Sequence, residues 1–99
     1  MTPEDEAKAR VRLERGVRAQ AILDDDITRE AIEALKKRAY ESFKSADPGD
    51  TQALAIAKMR FEVTEDWVNH FASLMQKGKQ ADAALAKWHA LPARRKRTA

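Results

Sequence analysis

The sequence predicts an all-α fold, an antiparallel long helical hairpin with an N-terminal helix and a short C-terminal helix. Three observations predict it. Apolar residues recur at steps of three and four through most of the 99-residue chain, which is the spacing of one helical face. Capping residues and a Pro-Gly turn separate these stretches. Charged residues are 35% and aromatic residues 6% of the chain, which suits long solvated helices better than a thick core.

The first helix is predicted over residues 3–23. Thr2 is a suitable N-cap and Pro3 fits the first helical position. Ion pairs one turn apart are predicted for Glu4–Lys8, Glu6–Arg10 and Glu14–Arg18. The apolar face of this helix is weak, and Gly16 lowers its helix propensity by about 1 kcal/mol relative to Ala. We therefore expect its first half to be mobile or to need a partner for order.

The three aspartates 24–26 predict a break before a second helix, over residues 27–44. Either Asp25 or Asp26 can cap this helix, although a continuous helix through solvent-facing aspartates is the alternative. A divalent cation site is disfavoured, because no further carboxylate or glycine follows at the spacing of a calcium loop. The predicted apolar face of the second helix consists of Ile27, Ala31, Leu35, Ala39 and Phe43, with Ile32 and Tyr40 beside them.

The third helix is predicted over residues 51–77, after the turn Asp47-Pro48-Gly49-Asp50. Asp50 or Thr51 is its predicted N-cap. It carries two apolar rows, each at alternating steps of three and four. The first row is Leu54, Ala57, Phe61, Thr64, Val68, Phe71 and Met75; the second row is Ile56, Met59, Val63, Trp67, His70 and Leu74. One neighbouring helix needs only one stripe, and the second helix is too short to cover even one row.

These two rows predict association between copies of the chain. The predicted self-association residues are Leu54, Ile56, Phe61, Val63, Trp67, Val68, Phe71, Leu74 and Met75. Arg60 and Thr64 interrupt the apolar surface. They either set the register of an oligomer or lie at the solvent-exposed edge of its interface. Gly78 is the predicted C-cap of the third helix. A short fourth helix is predicted over residues 80–91, and Pro92 ends it. A single domain over residues 1–92 is thus predicted.

Residues 93–99 are predicted to form a disordered basic tail. Its cations are Arg94, Arg95, Lys96 and Arg97, and without them 15 basic residues face 16 acidic ones. Such a tail suits nucleic-acid phosphates or an acidic partner, without reading sequence. A merely solubilising tail is an equally weighted interpretation.

The sequence carries no combination of residues that indicates a particular catalytic reaction. It has no cysteine, which excludes disulfides and thiolate metal sites. His70 and His89 lie in different predicted helices without a second ligand at metal spacing. His70 lies on an apolar row, where a packing role is favoured over metal binding. Trp67 and Trp88 lie on apolar helical faces, which favours core or interface use over base stacking. We therefore expect a non-enzymatic protein without a metal or cofactor.

A membrane protein is not expected. No apolar run approaches the roughly 18 residues of a membrane span, and the acidic start is unlike a signal peptide. A cytoplasmic protein is the expectation.

Several positions between about residues 15 and 85 carry a resemblance to a known family. They are Arg18-Ala19-Gln20-Ala21-Ile22-Leu23-Asp24-Asp25, Glu30-Ala31, Leu35, the turn Asp47-Pro48-Gly49-Asp50, and Gly78-Lys79-Gln80-Ala81. The chain resembles small helical proteins encoded by tailed bacteriophages and prophages. Members often have Pro after the Asp pair, where this chain has Asp26 and Ile27, and they often carry aromatic residues at positions matching Tyr40 or Phe43.

The resemblance implies a long helical hairpin, encoded near packaging and head genes and found in the bacterial host cell or on the virion. It implies no catalytic residues. We therefore expect an oligomeric phage-type accessory protein in DNA packaging or head assembly. It is similar to the small subunit of a packaging terminase in size and helicity, but it lacks a recognisable helix-turn-helix. A helical adaptor that binds another protein, without nucleic acid, is the alternative.

Overall fold

The computed structural model describes residues 1–91, so the predicted basic tail lies outside the described residues. These residues form three helices: α1 (Pro3–Asp24), α2 (Asp26–Ser45) and α3 (Thr51–His89). No strand occurs in residues 1–91, and the all-α prediction is confirmed. Both ends of α1 and of α2 lie within one residue of the predicted limits.

The predicted caps are present at the start of each helix. The Thr2 hydroxyl accepts a hydrogen bond from the Asp5 amide at 3.1 Å, and the Asp5 carboxylate accepts one from the Thr2 amide. Asp25 caps α2 by accepting from the Thr28 amide at 3.0 Å. Asp50 accepts from the amide of the third residue of α3 at 3.0 Å. The aspartates at 24–26 therefore end one helix and cap the next, as expected.

The predicted end of the third helix at Lys77 is wrong, and so is the separate fourth helix over 80–91. Helix α3 continues without interruption to His89. Gly78 does not have a positive φ, so it lacks the left-handed conformation of a C-cap glycine. It is instead a buried interior residue of α3, placed where another helix comes very close.

The chain divides into two compact units that share α3. Unit 1 comprises Met1–Ala21 and the chain from Phe71 onward; unit 2 comprises Ile22–His70.

In unit 1, α1 packs on the C-terminal part of α3 through small residues. Ala9, Ala81 and Leu85 form a buried cluster, with Leu13 packed against it. Gly16 is also buried, against Gly78. Close backbone contact thus takes the place of the large apolar side chains that α1 lacks, and the first half of α1 has its packing partner within the chain. The predicted pairs Glu4–Lys8 and Glu6–Arg10 are present, at 3.4 and 2.9 Å.

In unit 2, α2 meets residues 51–70 of α3 through another set of mostly small residues. Ile32, Ala39, Ala57 and Thr64 are buried there. The buried Thr64 hydroxyl donates to the Arg60 carbonyl oxygen at 3.0 Å. The Arg60 guanidinium donates to Ser42 Oγ at 3.0 Å, and so contacts α2 within the same chain.

The apolar face predicted for α2 is wrong at most of its positions. Ile27, Leu35, Tyr40 and Phe43 are all more than 40% exposed. A step of four residues turns a helix by about 40° beyond a full circle, so the row from Ile27 to Phe43 drifts by about 160°. Ile32 and Ala39 are seven residues apart, which brings them to nearly the same angle, and these two are buried.

Candidate self-association surface

The contact between α2 and α3 in unit 2 leaves large apolar side chains exposed on both of its sides. Ala39 and Ala57 are each only 2% exposed, and such small residues let two helix backbones approach closely. They are too short to cover the larger side chains beside them. An open apolar groove therefore runs along each side of the contact.

We call the first side the Trp67 flank. Its members are Leu35, Ile56, Met59, Val63 and Trp67, which are between 44% and 65% exposed. They line a groove of about 770 Å³. The charged residues lining it are Arg38 and Arg60, of which Arg60 is held by Ser42. The floor of this groove is therefore apolar, and its charges lie on long side chains.

We call the second side the Phe61 flank. Its members are Tyr40, Phe43, Leu54 and Phe61, which line a groove of about 690 Å³. An ion pair between Lys58 and Glu62, at 3.8 Å, lies among the residues of this groove. The Lys44 ammonium lies 5.4 Å from the centre of the Tyr40 ring, within cation–π range. This flank is thus more aromatic than the Trp67 flank, and its lining carries charges of both signs.

The structure distributes the predicted self-association residues over several places. Ile56, Val63 and Trp67 lie on the Trp67 flank, and Leu54 and Phe61 on the Phe61 flank. Val68 is half-buried in unit 2. Phe71, Leu74 and Met75 are half-buried in unit 1, where Met75 lines a small groove with Leu13 and Gly16 of α1. Self-association through these residues stays a prediction, and Arg94, Arg95, Lys96 and Arg97 lie outside the described residues.

Four members of the two flanks are not among the residues predicted for self-association: Leu35, Met59, Tyr40 and Phe43. Met59 belongs to the second apolar row of α3, and the other three lie on or beside the apolar face predicted for α2. The signal was available in the helical angles of α2. Measured around the axis of α2 from the direction of Ile32 and Ala39, Leu35 lies about 60° to one side and Tyr40 about 80° to the other. Two side faces on α2 therefore follow once its buried pair is identified.

Arg10 and His89 lie beside the Glu6 carboxylate in unit 1. The Arg10 guanidinium donates to the Glu6 carboxylate at 2.9 Å, and this hydrogen bond lowers the pKa of Glu6. His89 Nε2 lies 3.6 Å from the same carboxylate. Within residues 1–91 no group of three or more His, Asp or Glu side chains is arranged to hold a metal ion. Among the three described helices, none has an apolar stretch long enough to cross a membrane.

Comparison with known proteins gives no match to a protein-family model, a curated protein or a solved structure. The exposed flanks and the distribution of charge are therefore the features from which we infer a function.

Proposed function

We propose that this chain is a non-enzymatic assembly protein that acts as a homo-oligomer. In this proposal α2 and the first part of α3 form an antiparallel hairpin, and two hairpins pack through their Trp67 flanks into a four-helix arrangement. The observation that supports it is the exposure of five large apolar side chains on one side of one helix pair. Exposed apolar patches of this kind mark interaction sites.

The size of the Trp67 flank is suited to an interface. Trp67 presents roughly 150–250 Å² when fully exposed and the four aliphatic side chains present less, so five at about half exposure leave roughly 300–500 Å² per copy. Two copies would together remove roughly 600–1,000 Å² of apolar surface from water. Stable interfaces bury about 1,200–2,000 Å² in total, polar rim included. The flank therefore supplies most of an interface core, and the surrounding polar residues can supply the rim.

A second copy is the partner that this surface fits best. In an isologous contact, a patch on one subunit packs against the identical patch on the other. A continuous apolar floor without acidic groups is compatible with that symmetry. Both helices of the flank contribute apolar side chains, so a surface about two helices wide is needed to cover all five of them. Another unit 2 meets that requirement without any change in the chain.

The biological setting that we propose comes from the resemblance to small helical proteins of tailed bacteriophages. The chain would then act as an accessory factor in DNA packaging or head assembly, in the bacterial cytoplasm or on the virion. Deleting its coding sequence is expected to lower the yield of DNA-filled heads counted by electron microscopy. An unchanged yield would contradict the setting and leave the self-association proposal to its own test.

The self-association is tested by measuring absolute mass with light scattering during size-exclusion chromatography. The wild-type chain is expected to be a discrete oligomer, and Val63→Asp is expected to be a monomer because it places a carboxylate in the apolar interface. Val11→Asp in α1 is the matched control, since Val11 and Val63 are 55% and 65% exposed. It should keep the wild-type mass.

Two other outcomes would contradict this proposal in different ways. A wild-type monomer would mean that the Trp67 flank binds a different protein, which is the adaptor alternative. An oligomer that Phe61→Asp dissociates and Val63→Asp leaves intact would move the interface to the Phe61 flank.

A further inference from the structure

The fold separates charges that nearly cancel along the sequence. Within the described residues, unit 1 carries eight basic and five acidic side chains, a formal net charge of +3. Unit 2 carries seven basic and eleven acidic side chains, a net charge of −4. A polyanion would therefore be attracted to unit 1 and repelled by unit 2.

Three of these eight basic side chains line one groove between α1 and α3. This groove has a volume of about 710 Å³. Its lining includes the cations Lys8, Arg12 and Lys77. Among the described residues that line it, the acidic one is Asp5. Arg15 follows Arg12 by three positions, so Lys8, Arg12 and Arg15 share one face of α1. We give the name basic groove to Lys8, Arg12 and Lys77, which line it, together with Arg15, which extends their row along α1 beyond the lining.

The cations of the basic groove are largely uncompensated. Lys8 pairs with Glu4 at 3.4 Å, but their side chains are 61% and 79% exposed, and such surface pairs contribute little. The Asp5 carboxylate accepts a hydrogen bond from the Thr2 amide and also interacts electrostatically with Lys8, so Lys8 is the partly compensated cation of the four. Arg12, Arg15 and Lys77 form no ion pair with any of the described residues. Three neighbouring unpaired cations repel one another, and an added anion would relieve that repulsion.

We propose that the basic groove binds the phosphate backbone of a nucleic acid. The three cations of α1 extend over about 10 Å of the helix axis, which suits a repeating row of phosphates better than one isolated phosphate. The rest of the lining is Met1, Gln80 and the three alanines Ala9, Ala81 and Ala84, so Met1 is its one large apolar side chain among the described residues. Protein partners usually need large apolar anchors, whereas phosphate contacts need only cations and polar donors.

This site is independent of the proposed self-association, because a single copy of the chain carries the whole groove. It is also distinct from the predicted tail, although residues 94–97 follow the described part of unit 1 in the sequence and add four more cations. Self-association would multiply the number of grooves in one particle, and several weak contacts would then bind by avidity.

The test measures binding of a fluorescent mixed-sequence DNA duplex by anisotropy, at several salt concentrations, using the full chain. The groove variant is Arg12→Gln/Arg15→Gln/Lys77→Gln, in which Gln keeps a similar helix propensity. The matched control, Lys37→Gln/Lys44→Gln/Lys58→Gln, removes the same charge from exposed positions of unit 2. A third variant replaces Arg94, Arg95, Lys96 and Arg97 with Gln. The light-scattering mass of each variant should equal that of the wild type, which separates this test from that of the Trp67 flank.

We expect the groove variant to lose about 100-fold in affinity at roughly 0.1 M salt, and its slope of log affinity against log salt to shrink by about 2–3. The control should lose far less. A parallel series with duplex RNA identifies which nucleic acid is preferred, and loss of binding in the groove variant with either one supports the proposal.

Four results would overturn the proposal. The first is absence of binding by the wild type, and the second is an equal loss of affinity in the groove and control variants. The third is a loss of affinity confined to the tail variant. The fourth is that polyglutamate displaces the labelled DNA as effectively as unlabelled DNA does at the same concentration of negative charge.

Discussion

Gly16 of α1 and Gly78 of α3 lie back to back in unit 1. A Cβ atom added to Gly16 would fall 2.8 Å from the Gly78 Cα, and one added to Gly78 would fall 2.9 Å from the Gly16 Cα. Real Cβ atoms essentially never come so close to another backbone. Both positions are helical and neither has a positive φ, so close approach, rather than backbone conformation, requires glycine here.

Replacing Gly78 with Ala is expected to destabilise unit 1. Ala gains about 1 kcal/mol of helix propensity, but its methyl group would meet backbone atoms of Gly16 and Arg12 that cannot rotate away. Overpacking of this kind costs about 1–3 kcal/mol. We expect a net loss of about 1 kcal/mol and a melting temperature lower by roughly 4–8 °C, measured by circular dichroism.

Gly49→Ala is the matched control for that substitution. No atom lies within 4 Å of a Cβ added at Gly49, so its melting temperature should not fall. A Gly78→Ala variant that melts higher than the wild type would show that α1 and α3 can separate at this point without loss.

Enlarging Ala39 is expected to destabilise unit 2. Ala39 is 2% exposed where α2 meets α3, and Leu at this position would force the two helices apart at a cost of about 1–3 kcal/mol. Ala34→Leu makes the same change at an exposed position of α2 and should have little effect. Urea unfolding followed by circular dichroism measures both, and equal stabilities would contradict the close contact at Ala39.

The cap at Asp25 gives a prediction that also tests the cation alternative. Asp25→Ala should cost about 1 kcal/mol because the Thr28 amide loses its acceptor. Asp25→Asn should be nearly neutral, since Asn caps equally well. If the aspartates instead bound calcium, Asn would be as harmful as Ala in the presence of calcium, and calcium would raise the melting temperature of the wild type.

The start of α1 is expected to lose stability in acid. Hydrogen bonds from the Thr2 amide and hydroxyl lower the pKa of Asp5, and the hydrogen bond from Arg10 lowers that of Glu6. A carboxyl group whose pKa is lower in the folded state stabilises the fold above its unfolded pKa, about 4. That contribution disappears as pH falls from this value through the folded pKa.

Thermal unfolding followed by circular dichroism at pH values on either side of 4 measures this effect. The Asp5→Asn/Glu6→Gln variant should show a weaker dependence on pH than the wild type over the same range. Identical dependences would assign the acid sensitivity to other carboxyl groups.

Local chemistry explains which features could be predicted from the sequence. A cap acts on an amide three residues away, so Thr2, Asp25 and Asp50 identify helix starts without knowledge of the rest of the fold. Gly78 could not be interpreted in this way. A glycine flanked by Lys77 and Lys79 fits a C-cap as well as a close helix contact, and only the position of Gly16 on another helix distinguishes the two.

The candidate surface was predictable in kind but not in detail. Two apolar rows on α3 correctly indicate more apolar surface than one neighbour needs, as the exposed Val63 and Trp67 show. Which residues stay exposed depends on how α2 is rotated about its axis, and that rotation follows from Ile32 and Ala39. The charge difference between the units could not be predicted either, because it depends on α1 packing with the distant end of α3.

Self-association and nucleic-acid binding should respond to salt in opposite directions. The Trp67 flank is apolar, while each unit 2 has a formal net charge of −4, so two copies repel one another at low salt. The Debye screening length falls to about 3 Å at 1 M salt. High salt therefore removes this repulsion and leaves the apolar contact intact. Sedimentation equilibrium should therefore show an oligomer that is as stable or more stable as salt rises.

Binding to DNA through the basic groove must weaken over the same range, because added salt reduces the gain from releasing counterions. The two salt responses are expected in one protein, since they arise from different units. An oligomer that dissociates at high salt would contradict this division. It would indicate that the positive unit 1 of one copy binds the negative unit 2 of another, so that the groove assigned to nucleic acid would be occupied by the chain itself.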